Sequence, residues 1–168
     1  ILFWRFYELS GENNLLIYSL DIRVKNEYSN YLNKILNGIN LLNYMWYINT
    51  DDFIYPENSS PEENFFGASI LSGEEFFRCI SRDNYYMIFA DIKAYPVGGE
   101  STEIETFEDF LKSNCELVFL CTDSIFIEFY CKDRDILDKV YNNCIGDEFE
   151  AVQYKSIADA TGRKLIAW

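Results

Sequence analysis

Carboxylates are the side chains in this sequence that are best suited to chemistry. Aspartate and glutamate together number 28, and many of them stand side by side. Paired carboxylates can hydrolyse glycosides or hold a divalent metal ion, but both roles need the pairs to converge in space. Most pairs here stand in predicted turns and at predicted helix starts, where acids stabilise the helix dipole. The sequence therefore favours solvated acids at Asp51–Asp52, Glu62–Glu63, Glu74–Glu75, Glu103 with Glu105, Glu108–Asp109, and Asp147–Glu148 with Glu150.

Histidine is absent from the sequence. Its absence excludes Ser–His and Cys–His catalysis and removes the commonest transition-metal ligand. The cysteines form no closely spaced pair of the kind that zinc sites use, so reduced, buried thiols in a cytosolic protein are the favoured interpretation. We therefore expect no metal and no cofactor, and the sequence favours a binding protein over an enzyme. The five cysteines are Cys79, Cys115, Cys121, Cys131 and Cys144.

Two charged residues interrupt an otherwise apolar run. Asp91 and Lys93 stand inside Tyr85–Tyr95, which predicts a buried strand. They could line a site, or they could mark a strand end that reaches solvent. The second interpretation is favoured, because charged residues are seldom buried unless they are paired. A carboxylate enzyme would instead need Asp91 to meet Asp123 or Glu116.

The charge balance favours a basic protein as partner. Lysine and arginine number 14 against 28 acids, which gives a formal net charge of −14. Nucleic acids and anionic membranes are disfavoured, because binding their phosphates needs a basic surface. Aromatic residues crowd the first third of the chain, where tyrosine and tryptophan could anchor an acidic-rimmed interface or pack inside. The predicted partner-binding residues are Tyr44, Trp46, Tyr47, Asp51, Asp52 and Tyr55.

A single α+β domain over residues 1–168 would position these side chains. We expect a mixed or mostly antiparallel sheet with about four helices packed mainly on one face. Apolar runs around a turn at residues 10–14 predict an N-terminal hairpin, and Tyr44–Tyr55 predicts two short strands around Asn49–Asp52. Pro56–Pro61 predicts a polar loop, and Leu165–Trp168 predicts a last strand.

Apolar spacing and capping residues indicate the first three helices. The stripe from Tyr28 to Ile39 predicts the first, with Asn26 as its N-cap and Gly38 as its stop. Capping boxes at Ser72–Glu75 and Thr106–Asp109 predict the second and the third.

The last helix follows a hairpin. Two apolar strands around the turn at residues 122–124 predict a hairpin over Glu116–Cys131. Asp133 would then cap a helix that ends at Gly146.

Several motifs follow one another in a specific order. They are Asn26–Tyr28 opening a helix, Ile39–Asn40 with Tyr44–Tyr47, Tyr85–Pro96, Cys115–Val118, and Tyr130–Asp133. This order resembles a small bacterial family known as domain of unknown function 2691, over about Ser19 to Trp168, and Tyr85–Asp91 is its most specific part. The resemblance implies a bacterial, cytosolic protein and supplies no catalytic residues. Residues 1–18, the predicted hairpin or an extension, lie outside it.

Three functions remain open on the sequence alone. The leading hypothesis is a non-enzymatic acidic protein-binding domain, for example an immunity or inhibitor protein that masks a basic partner. The alternatives are a carboxylate-dependent hydrolase, with or without Mg²⁺, and a small-ligand or structural domain, which a largely apolar pocket would favour. No apolar stretch is long enough to span a bilayer and no secretory signal is visible, so we expect a cytoplasmic protein.

Overall fold

A seven-stranded antiparallel sheet forms the centre of the molecule. The computed structural model describes residues 17–54 and 64–167. The strand order is β3-β2-β4-β5-β6-β1-β7, and every neighbouring pair is antiparallel. The expected α+β class and the mostly antiparallel sheet are confirmed. The strands are β1 (Ile17–Val24), β2 (Tyr44–Ile54), β3 (Ile70–Ser72), β4 (Tyr86–Pro96), β5 (Leu117–Thr122), β6 (Phe126–Cys131) and β7 (Phe149–Ser156).

Helices cover both faces of this sheet. In the described part of the chain, three helices pack on a larger core and two short ones on a smaller core. The sequence analysis expected about four helices mainly on one face. The two helices on the smaller core are too short to reveal their side of the sheet from apolar spacing, since they place just five apolar residues against it: Phe107, Phe110, Leu111, Ile157 and Ala160. The helices are α1 (Tyr31–Ile35), α2 (Gly73–Ile80), α3 (Phe107–Lys112), α4 (Arg134–Asn143) and α5 (Ile157–Ala160), and Leu41–Asn43 forms a 3₁₀ turn.

Strand alternation divides the apolar side chains between the two cores. On β5, Leu117 and Phe119 belong to the larger core, while Val118 and Leu120 belong to the smaller one. Successive residues of a strand point to opposite faces of the sheet. The sequence of a strand that is covered on both faces is therefore continuously apolar. The central strands β4 and β5 therefore lie between two layers of helices and loops.

Local capping fixes where the second and third helices begin. The Ser72 hydroxyl accepts from Glu75 N at 3.2 Å, and the Glu75 carboxylate accepts from Ser72 N at 2.8 Å. Thr106 and Asp109 form the same reciprocal pair at the start of α3. Both predicted capping boxes are confirmed, because this signal depends only on residues three positions apart.

The first helix is shorter than the sequence predicted. It spans Tyr31–Ile35, and Tyr28 is 48% exposed instead of contributing to the stripe. The Ser29 N–H donates to the Tyr85 carbonyl at 2.9 Å, so this part of the chain is tied to the start of β4 and not to a helical turn. The predicted N-cap at Asn26 is therefore wrong.

The second strand is one continuous element. Tyr44–Ile54 pairs with β4 along its length, with register shifts between Ile48 and Thr50 and between Asp52 and Phe53. The predicted break into two strands at Asn49–Asp52 is wrong, because β-bulges absorb these polar residues without ending the pairing. The β5–β6 hairpin is confirmed, with Asp123 and Ser124 at φ 50° and 69° in its turn. The first predicted strand and the Pro56–Pro61 loop lie outside the described residues.

We expect the cysteines to be unreactive in the folded protein. All five are buried and free, and burial raises the pKa of Cys115, Cys121, Cys131 and Cys144 to about 12 and also raises that of Cys79. Because the thiolate is the nucleophile, iodoacetamide at pH 8 should label fewer than about one thiol per molecule in an hour. Mass spectrometry with and without urea measures this, and all five should react in urea. Rapid labelling of several thiols in the native protein would contradict the buried placement.

Candidate functional site

Two buried charges lie on β4, on the face of the smaller core. Asp91 is 1% exposed and Lys93 is 2% exposed. β4 continues to Pro96 and pairs with β2 on one side and with β5 on the other. The interpretation of these residues as a strand end that reaches solvent is therefore wrong.

Asp91 and Lys93 form an ion pair that other polar groups complete. Lys93 Nζ lies 2.6 Å from Asp91 Oδ1 and donates to the Leu165 carbonyl at 2.7 Å. Asp91 Oδ1 also accepts from Asn49 Nδ2 at 3.2 Å, and Oδ2 accepts from Ala167 N at 3.4 Å. A lysine ammonium carries three donors, so one N–H of Lys93 has no partner among residues 17–54 and 64–167.

The C-terminal segment supplies two of these contacts. Residues 164–167 run beside β4, where Leu165 N donates to Glu105 O at 2.8 Å and Thr50 Oγ1 donates to Ala167 O at 3.2 Å. Leu165 and Ala167 are buried in the smaller core. The predicted last strand is wrong for these residues, since within residues 17–54 and 64–167 their only ladder contact is an isolated bridge between Thr106 and Lys164. We call residues 164–167 the C-terminal strap.

A cleft of about 510 Å³ opens above the ion pair. Strands β2 and β4, the strap and residues 101–105 line it. We call the buried Asp91 and Lys93 its floor and the mostly exposed residues 101–105 its rim. Besides the ion pair, its lining includes the side chains of Tyr47, Asn49, Tyr95, Thr102, Glu103 and Glu105.

Two tyrosines form one wall of the cleft. The rings of Tyr47 and Tyr95 meet edge to face, with their centroids 5.0 Å apart. The Tyr95 hydroxyl donates to the Thr102 carbonyl, which fixes the rim against the strand, and burial raises the pKa of Tyr95 to about 12. The Tyr47 hydroxyl has no hydrogen-bond partner within the described residues, so it remains available to a ligand.

The rim of the cleft is acidic. Glu103 and Glu105 are exposed, and neither forms a salt bridge within residues 17–54 and 64–167. The lining thus holds three carboxylates and one ammonium. The sequence predicted that Glu103 and Glu105 are solvated, and both are exposed. It did not predict that they line the same cleft as Asp91.

The predicted partner-binding residues do not come together. Trp46 and Tyr44 are buried in the larger core, on the opposite face from the cleft, and Trp46 stacks on Phe76 with 3.9 Å between ring centroids. Tyr47 alone of the set lines the cleft, because it alternates with Trp46 along β2. Tyr55 lies outside the described residues.

The two acids of that set lie further along β2. Asp51 Oδ2 accepts from Phe66 N at 3.3 Å, and burial raises its pKa, while Asp52 is exposed. Whether these residues bind a partner stays a prediction.

The cleft that Asp91 lines contains neither Asp123 nor Glu116, the other acids proposed for a carboxylate enzyme. The hydrogen bonds of Asp91 go to Lys93, Asn49 and Ala167, whereas Asp123 is exposed in the β5–β6 turn. Over the described ranges, no group of three or more Asp, Glu, Cys or His residues is arranged to hold a metal ion. The signal that could have found the cleft was the i, i+2 spacing of Asp91 and Lys93, which puts both charges on one face of an apolar strand.

Comparison with known proteins places the chain in a family. The profile of a family described as "Protein of unknown function (DUF2691)" matches residues 17–166. The chain belongs to this family. A relative from Bacillus subtilis (strain 168), described as "Uncharacterized protein YncE", is 34% identical over 136 residues, which cover 80% of this chain and 89% of the relative. No solved structure matches the chain.

The DUF2691 match confirms the resemblance that the sequence motifs indicated. It begins at Ile17, where β1 begins, and it ends inside the C-terminal strap. The cleft of this DUF2691 chain therefore lies almost entirely within the family region. None of the described helices is both long enough and apolar enough to cross a bilayer.

Proposed function

We propose that this DUF2691 chain is a non-enzymatic binding domain and that the cleft above Asp91 and Lys93 holds its ligand. The observation that carries the proposal is a buried ion pair at the floor of an open cleft. Replacing a buried ion pair by apolar residues of similar volume is often neutral or stabilising, so packing alone gives no reason for such a pair. Buried charges that depart from the usual apolar interior of a protein are expected mainly at functional sites.

The shape and chemistry of the cleft support this proposal. Its volume of about 510 Å³ lies within the range of about 300–1,000 Å³ that is common for small-molecule sites. Such sites combine aromatic walls with a few polar groups that fix orientation. Here Tyr47 and Tyr95 supply the wall, and Lys93 N–H and the Tyr47 hydroxyl supply the polar groups. No contact in the described part of the chain favours the hydrolase alternative, because Asp91 pairs with a lysine and not with a second acid.

An acidic domain that masks a basic protein, such as an immunity or inhibitor protein in the cytoplasm, is the second candidate. The net charge of −14 favours it, and so do Glu103 and Glu105 at the rim, which form no salt bridge within the described ranges. An acidic surface accelerates encounter with a basic partner and selects against acidic ones. In this case the cleft would receive a basic side chain of the partner.

Blocking the cleft tests both candidates. Thr102→Trp puts a large side chain at the rim, and Val97→Trp, at a residue that is 61% exposed and lies outside the cleft, is the matched control. Each purified form is incubated with a bacterial extract, recovered by gel filtration and analysed by mass spectrometry. We expect the wild type and Val97→Trp to retain a compound that Thr102→Trp loses.

A protein partner would give a different result in the same experiment. A basic protein would then be retained at low salt and released as ionic strength rises, since exposed charges are screened. If all three forms retain the same material, or none, the cleft is not a binding site and the proposed function is wrong.

A further inference from the structure

The geometry points to an amino alcohol as ligand, with a positively charged nitrogen at one end and a neutral hydroxyl oxygen at the other. This inference rests on the proposed function, because it assumes that the cleft is the binding site. Three features of the cleft carry it. They are the compensated charge of Lys93 at the floor, the donors of Lys93 and Tyr47 that have no partner within residues 17–54 and 64–167, and the acids of the rim beside the Tyr47 ring.

The floor of the cleft is electrically neutral. The ammonium of Lys93 lies 2.6 Å from Asp91 Oδ1, so its charge is already compensated. A phosphate or carboxylate that entered would find no free positive charge in the lining, and it would have to pass Glu103 and Glu105. Like charges that are brought together across an interface disfavour binding, so an anionic ligand does not suit this cleft.

The cleft still offers hydrogen-bond donors at its floor and in its wall. Lys93 Nζ has two partners, and its third N–H and the Tyr47 hydroxyl have none in the described part of the chain. A ligand oxygen could accept from both of these donors. Because the charge is compensated, a neutral oxygen such as a hydroxyl suits this position better than a carboxylate.

The mouth of the cleft favours a cation. The carboxylates of Glu103 and Glu105 have no basic partner within residues 17–54 and 64–167, and they stand at the rim. Tyr95 is 3% exposed and packs behind Tyr47, so the half-buried Tyr47 supplies the aromatic ring that a ligand can reach. A cation within about 6 Å of a tyrosine ring face is attracted by the ring. A positively charged nitrogen can therefore contact the acids and the Tyr47 ring together while the oxygen reaches the floor.

Four small compounds built on the same four-carbon chain test the inference. They are 4-amino-1-butanol, butylamine, 1,4-butanediol and 4-hydroxybutyrate, and each is titrated into the wild-type protein while NMR follows the rings of Tyr47 and Tyr95. We expect 4-amino-1-butanol to give saturable shifts, butylamine to bind more weakly because it lacks the oxygen, and the diol and the acid to bind at least about tenfold more weakly than the amino alcohol.

Variants at the rim supply the control. Glu103→Gln combined with Glu105→Gln removes both charges without changing side-chain size, and both residues are exposed, so the fold should be unaffected. The affinity for 4-amino-1-butanol should fall at least about fivefold. Glu100→Gln removes a charge from an exposed residue of the same loop outside the cleft, and it should leave the affinity unchanged.

Each outcome has a defined meaning. Binding of 4-hydroxybutyrate as tight as that of 4-amino-1-butanol overturns the inference, and so does the absence of binding by all four compounds. The cleft as a site is judged separately, from the retention lost in Thr102→Trp. A pentapeptide with a central lysine shows whether the cationic group belongs to a protein or to a free amine. Tighter binding of the peptide than of 4-amino-1-butanol identifies a protein side chain. Tighter binding of 4-amino-1-butanol identifies a free amine.

Discussion

Replacing Lys93 by methionine lowers the free energy of unfolding by about 3–5 kcal/mol, the range for breaking a buried ion pair by removing one partner. The substitution leaves the Asp91 carboxylate 1% exposed and without its counter-charge, and it removes the donor to the Leu165 carbonyl. Urea denaturation at pH 7 measures the change. The exposed pair Arg78–Glu74, whose side chains are 73% and 76% exposed, provides the matched control. Arg78→Met should change stability by less than about 1 kcal/mol.

A second substitution should restore most of the loss. Asp91→Asn combined with Lys93→Met leaves no buried charge, so the double variant should lie within about 2 kcal/mol of the wild type. The difference between the double variant and the sum of the single ones gives the coupling energy of the pair. A cost of Lys93→Met below about 1 kcal/mol, equal to that of Arg78→Met, would show that Lys93 is not a buried charge.

Replacing Trp46 by alanine lowers the free energy of unfolding by about 3–5 kcal/mol, as is typical for a large aromatic residue in a core. Its ring stacks on Phe76 with an interplanar angle of 4°, and its Nε1 donates to the Leu41 carbonyl at 3.1 Å. The substitution leaves a cavity between β2 and α2 and a carbonyl without its donor. Thermal and urea unfolding both measure the change.

The neighbouring residue on the same strand provides the control. Tyr47 lies on the opposite face and is only half-buried at the cleft, so Tyr47→Ala should cost about 1–2 kcal/mol. It should also weaken binding of 4-amino-1-butanol, which Trp46 does not contact. Equal destabilisation by the two substitutions, with ligand binding unchanged in Tyr47→Ala, would contradict the assignment of Tyr47 to the cleft.

Features that depend on residues close in sequence were predicted well. The capping boxes at Ser72 and Thr106 and the β5–β6 hairpin each need only a few neighbouring residues, and all three are confirmed. The first helix was predicted too long because its start depends on Tyr85, which lies far along the chain. The predicted break in β2 was wrong for a related reason, since the pairing of β2 with β4 continues past Asn49–Asp52.

The candidate site was missed because burial is a long-range property. Asp91 and Lys93 were recognised as unusual in an apolar run, but their burial depends on the C-terminal strap, and Leu165 lies 72 residues from Lys93. Similarly, the aromatic residues of β2 were grouped because they are close in sequence. In the fold, Trp46 lies in the larger core and Tyr47 lines the cleft on the opposite face of the sheet. Strand alternation alone could have separated Trp46 from Tyr47, because both stand before the predicted break at Asn49–Asp52.

The titration of the wild-type protein with 4-amino-1-butanol tests most directly whether the cleft above Asp91 and Lys93 is a binding site for a cation. We expect saturable NMR shifts at Tyr47 and Tyr95 and none at Phe126, which is exposed on β6 away from the cleft. Shifts spread over the surface without saturation, or shifts of equal size with 4-hydroxybutyrate, would contradict this assignment.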